Sequence, residues 1–394
     1  MNAAQNKPAA RNNPLVIGIV AGEASGDLLG SHLVAALQSH FPDAEFVGIG
    51  GPKMVAAGVQ SLFPMEKLAV RGYVEVLRHY REIVGIRRQL KEHFLADPPQ
   101  VFIGVDAPDF NLDLELALKA AGIPTIHYVS PSIWAWRGDR IHKIKQAVSR
   151  VLALFPFEAP LYQQAGVDVT YVGHPLADML PEHPNRPAMR EQMRLPKDIP
   201  VIALLPGSRQ SEIAAMAKLF VDTMLLLAQK LPQARFLVPL VSRETRNQFE
   251  TALYKNGGAE LPVTLLFGHA HDAMVAADAV VVASGTATLE AALVKRPMVI
   301  TYKMPALSWA IMRRKKYQAY VGLPNILAGE FIVPEFIQDE ATAENIVQAL
   351  LNQMQDSDYV RRLENRFLKM HQELKQDTAS KAAAAILPYL QRAV

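Results

Sequence analysis

The chain has 394 residues, of which 50% are hydrophobic and 20% charged, a size and composition typical of two globular domains. The formal net charge of +3 is too small to indicate a nucleic-acid-binding protein, and the absence of cysteine excludes disulfide and thiolate chemistry. Residues 1–13 form a polar tail without the apolar core of a signal peptide, and no run of 18 apolar residues predicts a membrane span. We therefore expect a cytoplasmic protein.

Apolar runs alternate with helical patterns through the first half of the chain. The predicted strands are Leu15–Ala21, Glu45–Ile49, Val101–Val105, Thr125–Val129, Arg150–Leu154 and Val169–Val172. The predicted helices are Leu28–His40, Val74–Phe94, Leu112–Ala121, Ile141–Ala147 and Glu158–Ala165. Because this alternation favours βαβ units and a parallel sheet, residues 14–180 are predicted to form one Rossmann-like domain.

The second half repeats the pattern after residues 181–200, a proline-rich segment that is interpreted as a linker containing a short helix. Its predicted strands are Val201–Leu205, Arg235–Pro239, Val263–Phe267, Ala279–Val282 and Met298–Tyr302. Its predicted helices are Ser211–Lys230, Arg243–Tyr254, Ala270–Ala277 and Ala287–Val294. The fold class is therefore α/β, with a second doubly wound Rossmann-like domain over 201–342 and an inter-domain cleft. We expect helices over 343–394 to pack back on the first domain.

A glycine-rich loop follows the first predicted strand, in the sequence IVAGEASGDLLGS over residues 19–31. The spacing of Gly22, Gly26 and Gly30 does not match the dinucleotide-binding or Walker pattern. Glu23 and Ser25 nevertheless follow the carboxyl end of a strand, which is where ligands bind in open α/β sheets. A tight turn without a ligand, with Ser25 or Asp27 as the helix N-cap, is the alternative.

Two similar strand-to-helix turns in the second half indicate a phosphate site. The first, LLPGSRQSE over 204–212, contains Gly207, Ser208 and Arg209, and the second, VVASGTATLEAAL over 281–293, contains Ser284, Gly285, Thr286 and Glu290. Helix N-termini and an arginine suit a pyrophosphate, and Glu290 has the chemistry to accept hydrogen bonds from a ribose diol. Capped turns with a solvated arginine, and a Glu290 that only pairs with the helix dipole, are the alternatives.

These stretches together resemble the donor half of GT-B glycosyltransferases and, over most of the chain, the lipid-A-disaccharide synthase family. The stretches that carry the resemblance are VAGEASGDLLG (20–30), GVDAPDFN (104–111), IHYVSPSIWAWR (126–137), VGHPLAD (172–178), LLPGSR (204–209), ASGTATLE (283–290) and LPNILAG (323–329). The resemblance implies transfer of 2,3-diacylglucosamine from a UDP-linked donor to the 6-hydroxyl of 2,3-diacylglucosamine 1-phosphate, called lipid X. The products are a β-1,6-linked disaccharide and UDP, and the anomeric centre is inverted.

The resemblance also implies roles for particular residues. Asp106, at the end of a predicted strand, is the expected base, whereas Asp109 is interpreted as a helix cap or a second acceptor-side contact. The alternatives are that Asp109 is the base or that both aspartates only cap or orient. Asn325 joins the donor-side residues named above. The remaining expected acceptor-side and lipid-side residues are Glu23, Ser25, Gly26, His127, Trp134, Trp136 and Arg137, although the two tryptophans are also consistent with an aromatic anchor in the core.

No metal or cofactor is expected, because His269, His271 and Asp272 have no further ligand at a recognisable spacing and are read as loop or nucleobase-side residues. Basic amphipathic stretches at 73–88 and 309–320 favour peripheral binding to the anionic inner membrane, although a solvated helix face is the alternative. A homodimer is left open. A UDP-N-acetylglucosamine 2-epimerase and a non-catalytic UDP-sugar or lipid binder are the competing functions.

Overall fold

The computed structural model describes residues 14–68, 73–134, 138–304, 309 and 319–391, with side chains of the helix over 73–96 described from residue 80 onward. The described residues form two compact units. The first comprises the residues up to Ile133, those from Gly138 to Gly173 and those from Asp377 onward, and the second comprises the residues from His174 to Gln376 together with Trp134. Each unit contains one parallel sheet covered by helices.

The strands within the described ranges follow the chain in order. They are β1 (Val16–Ala21), β2 (Glu45–Ile49), β3 (Val59–Ser61), β4 (Val101–Val105), β5 (Thr125–Tyr128), β6 (Arg150–Ala153), β7 (Val169–Tyr171), β8 (Val201–Leu205), β9 (Arg235–Leu240), β10 (Val263–Phe267), β11 (Ala279–Ala283), β12 (Met298–Tyr302) and β13 (Glu335–Ile337). The first sheet has the order β3-β2-β1-β4-β5-β6-β7, and the second has the order β10-β9-β8-β11-β12-β13. The direction of winding therefore reverses between β1 and β4 and between β8 and β11, and such switch points are where open α/β sheets bind ligands.

The helices within the same ranges connect these strands. They are α1 (Ala24–His40), α2 (Pro52–Ala56), α3 (Tyr73–Ala96), α4 (Pro108–Ala120), α5 (Arg140–Ala147), α6 (Glu158–Gln164), α7 (Pro175–Met179), α8 (Arg186–Gln192), α9 (Gln210–Lys230), α10 (Arg243–Lys255), α11 (Ala270–Ala276), α12 (Thr286–Leu293), α13 (Leu323–Ala328), α14 (Ala343–Gln355), α15 (Ser357–Leu374) and α16 (Thr378–Leu390). Short 3-10 turns occupy Met65–Lys67 and Gln338–Glu340. None of these described helices is long and apolar enough to cross a membrane.

Each sheet is buried on both faces, which explains why its strands are continuous apolar runs in the sequence. All five residues of β4, β8 and β11 are buried. In the first unit, Leu29, Leu33 and Leu37 recur at every fourth position of α1 and pack in one core with Ile386 of α16. The predicted α/β class with two doubly wound sheets is therefore confirmed.

The ends of the compact units differ from the predicted boundaries. The first unit stops at Gly173 rather than at residue 180, because the His174 N–H donates to the Leu374 carbonyl at 2.8 Å within the second unit. Burial lowers the pKa of His174 to about 4. Of the C-terminal helices, only α16 belongs to the first unit, since α14 packs on α9 and α15 packs on α7.

Candidate active site

The turn after β8 is built around Gly207 and Glu212. Gly207 has φ +130°, and a β-carbon there would lie 2.6 Å from Glu212 Cβ, so the turn requires glycine. Glu212 Oε2 accepts from the backbone N–H of Ser208 at 2.8 Å and from that of Arg209 at 3.1 Å. Its other oxygen accepts from Arg209 Nη1 at 2.6 Å. Both N–H groups of this predicted anion site therefore already bind a carboxylate supplied by the chain.

The turn after β11 lies beside it, because β8 and β11 are paired neighbours and parallel strands end at the same edge. Gly285 adopts φ +145°, and no described atom beyond the adjoining residues lies within 4 Å of the position of its missing β-carbon, so the described part of the chain leaves this space open. Ser284 is half-buried, and Thr286 is exposed at the start of α12. Thr288, one turn into the helix, donates to the Gly285 carbonyl at 2.7 Å. The exposed backbone of this turn can therefore approach a ligand closely.

Glu290 interacts with His271, a residue that the sequence placed only loosely near the nucleotide. Glu290 Oε1 and His271 Nδ1 are 3.4 Å apart, and both side chains are partly exposed. The nearby Glu290 carboxylate raises the pKa of His271 against the opposing effect of burial. His269 instead interacts with Asp272 at 2.7 Å. No signal in the sequence pairs these two residues, because His271 lies on α11, before β11, and Glu290 lies on α12, after it.

Asn325 does not present its side chain to a ligand, which corrects its assignment as a donor-binding residue. The amide is fully buried and donates to the Val333 carbonyl and to Glu335 Oε1. Its oxygen accepts from the backbone N–H groups of Ile332 and Val333. Since all of its hydrogen-bonding positions are used internally, Asn325 fixes the loop before β13.

In the first unit, the turn after β1 approaches the turn after β4. A β-carbon on Gly22 would lie 2.8 Å from Ala107 Cβ, and one on Gly26 would lie 3.4 Å from the Val105 carbonyl oxygen. The small residues of GEASG therefore let the two loops at the switch point meet. Ser25 is exposed and Glu23 is half-buried at the start of α1.

The predicted N-cap of α1 was wrong, since Glu23 occupies that position without a capping bond from its side chain. Asp27 is buried and accepts from the backbone N–H of Lys53 at 3.1 Å and from that of Met54 at 2.9 Å. It therefore accepts from the free backbone N–H groups at the start of α2 rather than from those at the start of its own helix.

Asp106 follows β4 in a strained turn. Asp106 and Ala107 both have left-handed backbones, with φ +54° and +45°, which are unfavourable for residues other than glycine. The Asp106 N–H donates to the Tyr128 carbonyl at 2.8 Å, and the Asn111 amide donates to the Asp106 carbonyl at 2.8 Å. Such strain at a half-exposed carboxylate on a switch-point loop is typical of a functional site.

Asp109 and His127 differ from their expected positions. Asp109 is exposed in the first turn of α4 and forms an ion pair with Arg140, so it does not cap the helix through its side chain. His127 is completely buried, and its Nδ1 lies 2.8 Å from Glu115 Oε1, so it cannot touch a substrate directly. Trp134 is half-buried. Trp136 and Arg137 lie outside the described residues.

Solved structures of low sequence identity share this architecture. The UDP-GlcNAc 2-epimerase from Neisseria meningitidis bound to UDP-GlcNAc has a TM-score of 0.65 and 13% identity, over 96% of this chain and all of that one. The glycotransferase of kitacinnamycin has a TM-score of 0.61 and 17% identity, also over 96% of this chain and all of that one. Two doubly wound sheets with loop pairs at their switch points thus define a GT-B protein.

Sequence similarity narrows this class to one family. The model of a family described as lipid-A-disaccharide synthetase matches residues 17–387. The lipid-A-disaccharide synthase of Methylobacillus flagellatus is 60% identical over 374 residues, which cover 95% of this chain and 99% of that protein. The chain therefore belongs to the lipid-A-disaccharide synthase family of hexosyltransferases, which use a UDP-sugar donor and a lipid acceptor.

Proposed function

We propose that the chain transfers 2,3-diacylglucosamine from its UDP-linked donor to the 6-hydroxyl of lipid X, with Asp106 as the base. The Asp106 carboxylate takes the hydroxyl proton as the acceptor oxygen attacks the anomeric carbon. The bond from that carbon to the UDP oxygen breaks on the opposite face, so the product has inverted configuration and UDP leaves. The strained, half-exposed Asp106 turn at the switch point of the first sheet is the observation that carries this role.

For the donor, we propose that the UDP pyrophosphate binds at the turns after β8 and β11. Arg209 supplies a guanidinium whose geometry suits phosphate oxygens, and its side chain is 53% exposed. The open space beside Gly285 and the start of α12 accommodate a second phosphate. Glu290 accepts hydrogen bonds from the ribose diol, and Gly207, Ser208, Ser284 and Thr286 shape the two turns.

The Glu212 carboxylate occupies part of the proposed donor site. It holds the N–H groups of Ser208 and Arg209 and is itself largely shielded from solvent, at 11% exposure. A phosphate that takes these N–H groups must displace Glu212 Oε2, because two anions do not share the same donors.

For the acceptor side, Glu23, Ser25 and Gly26 lie on the loop that meets the Asp106 turn, and we propose that they contact lipid X. The roles of the two domains follow the two units: residues 14–180 hold the acceptor, and residues 201–342 hold the donor.

We further propose peripheral association with the anionic inner membrane. The described part of α3 supports it through the exposed Tyr80, although Arg87 is already paired with Asp113 at 2.6 Å. Residues 310–318 lie outside the described residues. A homodimer stays a prediction.

The reaction is tested by UDP release from the diacylated donor, measured with and without lipid X. The proposal expects release that depends on lipid X and a disaccharide product that mass spectrometry identifies. Conversion of UDP-N-acetylglucosamine to its manno epimer would instead support an epimerase. Binding without UDP release would indicate a carrier. The likeness to epimerase structures, which is 13% sequence identity for the Neisseria protein, concerns the fold alone and gives the epimerase no added support.

A further inference from the structure

A buried layer of polar side chains lies between α4 and the first sheet, beside the Asp106 turn. Asn111 and Glu115 are one helical turn apart, so both face the sheet, and both are fully buried. Opposite them are Gly104 of β4 and His127 of β5, which are partners in the strand register. A β-carbon on Gly104 would collide with Glu115 Oε1 and would lie 2.9 Å from Asn111 Cβ. Glycine at this strand position therefore makes room for the polar layer.

Glu115 and His127 form the centre of this layer. Glu115 Oε1 and His127 Nδ1 are 2.8 Å apart, and neither side chain is exposed to solvent. Burial raises the pKa of Glu115 against the opposing effect of His127. Burial alone would lower the pKa of His127, but Glu115 and Asp106 raise it. At 2.8 Å one proton lies in the hydrogen bond between the two groups, so they titrate as a coupled pair.

The layer is not explained by stability alone. Asn111 Oδ1, Glu115 Oε2 and His127 Nε2 are buried and have no hydrogen-bond partner among the residues that the structure describes. Buried ionisable pairs are commonly no more stabilising than apolar side chains of the same volume, and incompletely bonded polar groups are worse. A helix packed against a sheet needs only apolar residues here, so these polar residues indicate a function.

Two links connect the layer to Asp106. The Asn111 amide donates to the Asp106 carbonyl at 2.8 Å and thereby holds the left-handed turn in place. The Asp106 carboxylate is one of the charges that raise the pKa of His127, so the two side chains lie within electrostatic reach. The other strand neighbour of His127 is the uncharged Val151. Glu115 and Asp106 are thus the titratable groups that act on the imidazole from the elements around it.

We propose that Glu115 and His127, together with Asn111, are positioning residues that orient the Asp106 carboxylate toward the acceptor hydroxyl. The inference rests on the proposed role of Asp106 as the base. None of the three touches the substrate. The hydrogen bond to Glu115 fixes the His127 imidazole within electrostatic reach of the Asp106 carboxylate. Asn111 fixes the backbone of the turn through the Asp106 carbonyl. Together they maintain the left-handed conformation of Asp106 and Ala107. Misplacing a catalytic group by about 1 Å lowers turnover about 100-fold, which sets the size of the expected effect.

The main test is Glu115→Gln, which keeps the size of the side chain but removes the carboxylate from the pair. We expect kcat to fall by up to about 100-fold, with KM for lipid X and the affinity for UDP changed by less than about twofold, because the variant misplaces the base without removing a substrate contact. The acid limb of the kcat profile against pH should also move, since the charge near Asp106 changes. Glu115→Asp, which keeps the charge, should recover part of the lost rate.

Asp113→Asn is the matched control. Asp113 lies on the same helix, but its carboxylate is 40% exposed and pairs with Arg87 and Lys143 at the surface. This variant should keep the kcat and pH profile of the unmodified chain. Thermal unfolding of both variants establishes that any loss in Glu115→Gln occurs in folded protein.

A second arm places Glu115→Gln in an Asp106→Asn background. If the pair acts through Asp106, the second change lowers the residual rate no further, because the group that it positions is already lost. Full additivity, or a folded Glu115→Gln variant with normal kcat, would overturn the inference while leaving Asp106 as the base. Normal turnover of Asp106→Asn alone would instead overturn the proposed base, and the inference with it.

A further test uses the unmodified chain and does not depend on any variant folding correctly. A proton between Glu115 and the His127 ring is shielded from exchange, so 15N-histidine NMR should show a protected, strongly downfield ring N–H that persists from about pH 6 to about pH 8, in addition to the protected signal of the buried His371, whose Nε2 lies 2.8 Å from the Ala177 carbonyl. The described His269–Asp272 pair is exposed and should not give a protected signal. Absence of such a resonance would overturn the proton-sharing pair.

Discussion

The two switch-point loop pairs carry different kinds of site. In the second unit, the turns at Gly207 and Gly285 use glycine, exposed backbone and the half-exposed Arg209. In the first unit, the turn at Asp106 has no glycine, and its left-handed backbone accepts a hydrogen bond from the buried Asn111 side chain. The proposed nucleotide site offers the Arg209 guanidinium and the exposed backbone at Gly285, whereas the proposed base is one carboxylate held in one direction. The same fold provides both sites by changing what supports the turn.

The largest expected effect separates the two carboxylates of the Asp106 segment. Asp106→Asn should lower kcat by about 10²–10⁴-fold, the usual loss when a general base is removed. Steady-state UDP release at saturating donor and lipid X measures it. Asp109→Asn, which removes an exposed carboxylate from the ion pair with Arg140, is the control and should retain most of the rate. Equal losses in both variants would mean that the segment's shape, rather than Asp106, matters.

The next effect concerns Arg209 in the second unit. Arg209→Ala should weaken UDP binding by about 1.5–3 kcal/mol, because a hydrogen bond to a charged group is lost. Calorimetric titration with UDP measures the change. Lys218→Ala is a suitable control, since Lys218 lies on α9, the helix that follows Arg209, and its surface pair with Asp222 is mostly exposed. Unchanged affinity in Arg209→Ala would locate the pyrophosphate elsewhere.

The donor-side turns were largely predictable from the sequence, whereas the supports of Asp106 were not. Gly-Ser-Arg and Ser-Gly-Thr directly after apolar strands display the chemistry of the turns in consecutive letters. The support of Asp106 comes instead from residues on a helix and on the next strand, which only the register of the sheet brings together. His127 was therefore expected at the substrate, although it is buried behind the turn.

Asn325 illustrates a second limit of prediction from the sequence. The sequence motif LPNILAG gives no indication that the Asn325 amide forms hydrogen bonds with the backbone of Ile332 and Val333. Glu212 was missed because its position has an ordinary interpretation, since a glutamate at the third position of a helix is typical of a capping residue. Only the structure shows that it occupies the N–H groups expected to bind an anion.

The smallest expected effect tests the side chains around the donor turn. Glu290 raises the pKa of His271, so the pair stabilises the folded chain below the ordinary histidine pKa of about 6.5. That stabilisation is lost as pH rises through the raised value. Because both side chains are partly exposed, the contribution should be below about 1 kcal/mol. In Glu290→Gln, histidine NMR should show His271 titrating at lower pH, and denaturant unfolding should show a smaller difference between acidic and neutral pH. An unchanged His271 titration would contradict the pairing.

The division between the two units is tested most directly by the affinity of Asp106→Asn for UDP. Calorimetric titration of this variant, beside the unmodified chain and Arg209→Ala, compares the base with the nucleotide site in one measurement. If Asp106 acts only as the base, Asp106→Asn binds UDP with the affinity of the unmodified chain, even though its turnover is lost. If Asp106→Asn instead weakens UDP binding as much as Arg209→Ala does, Asp106 contributes to the nucleotide site, and the division of roles is wrong.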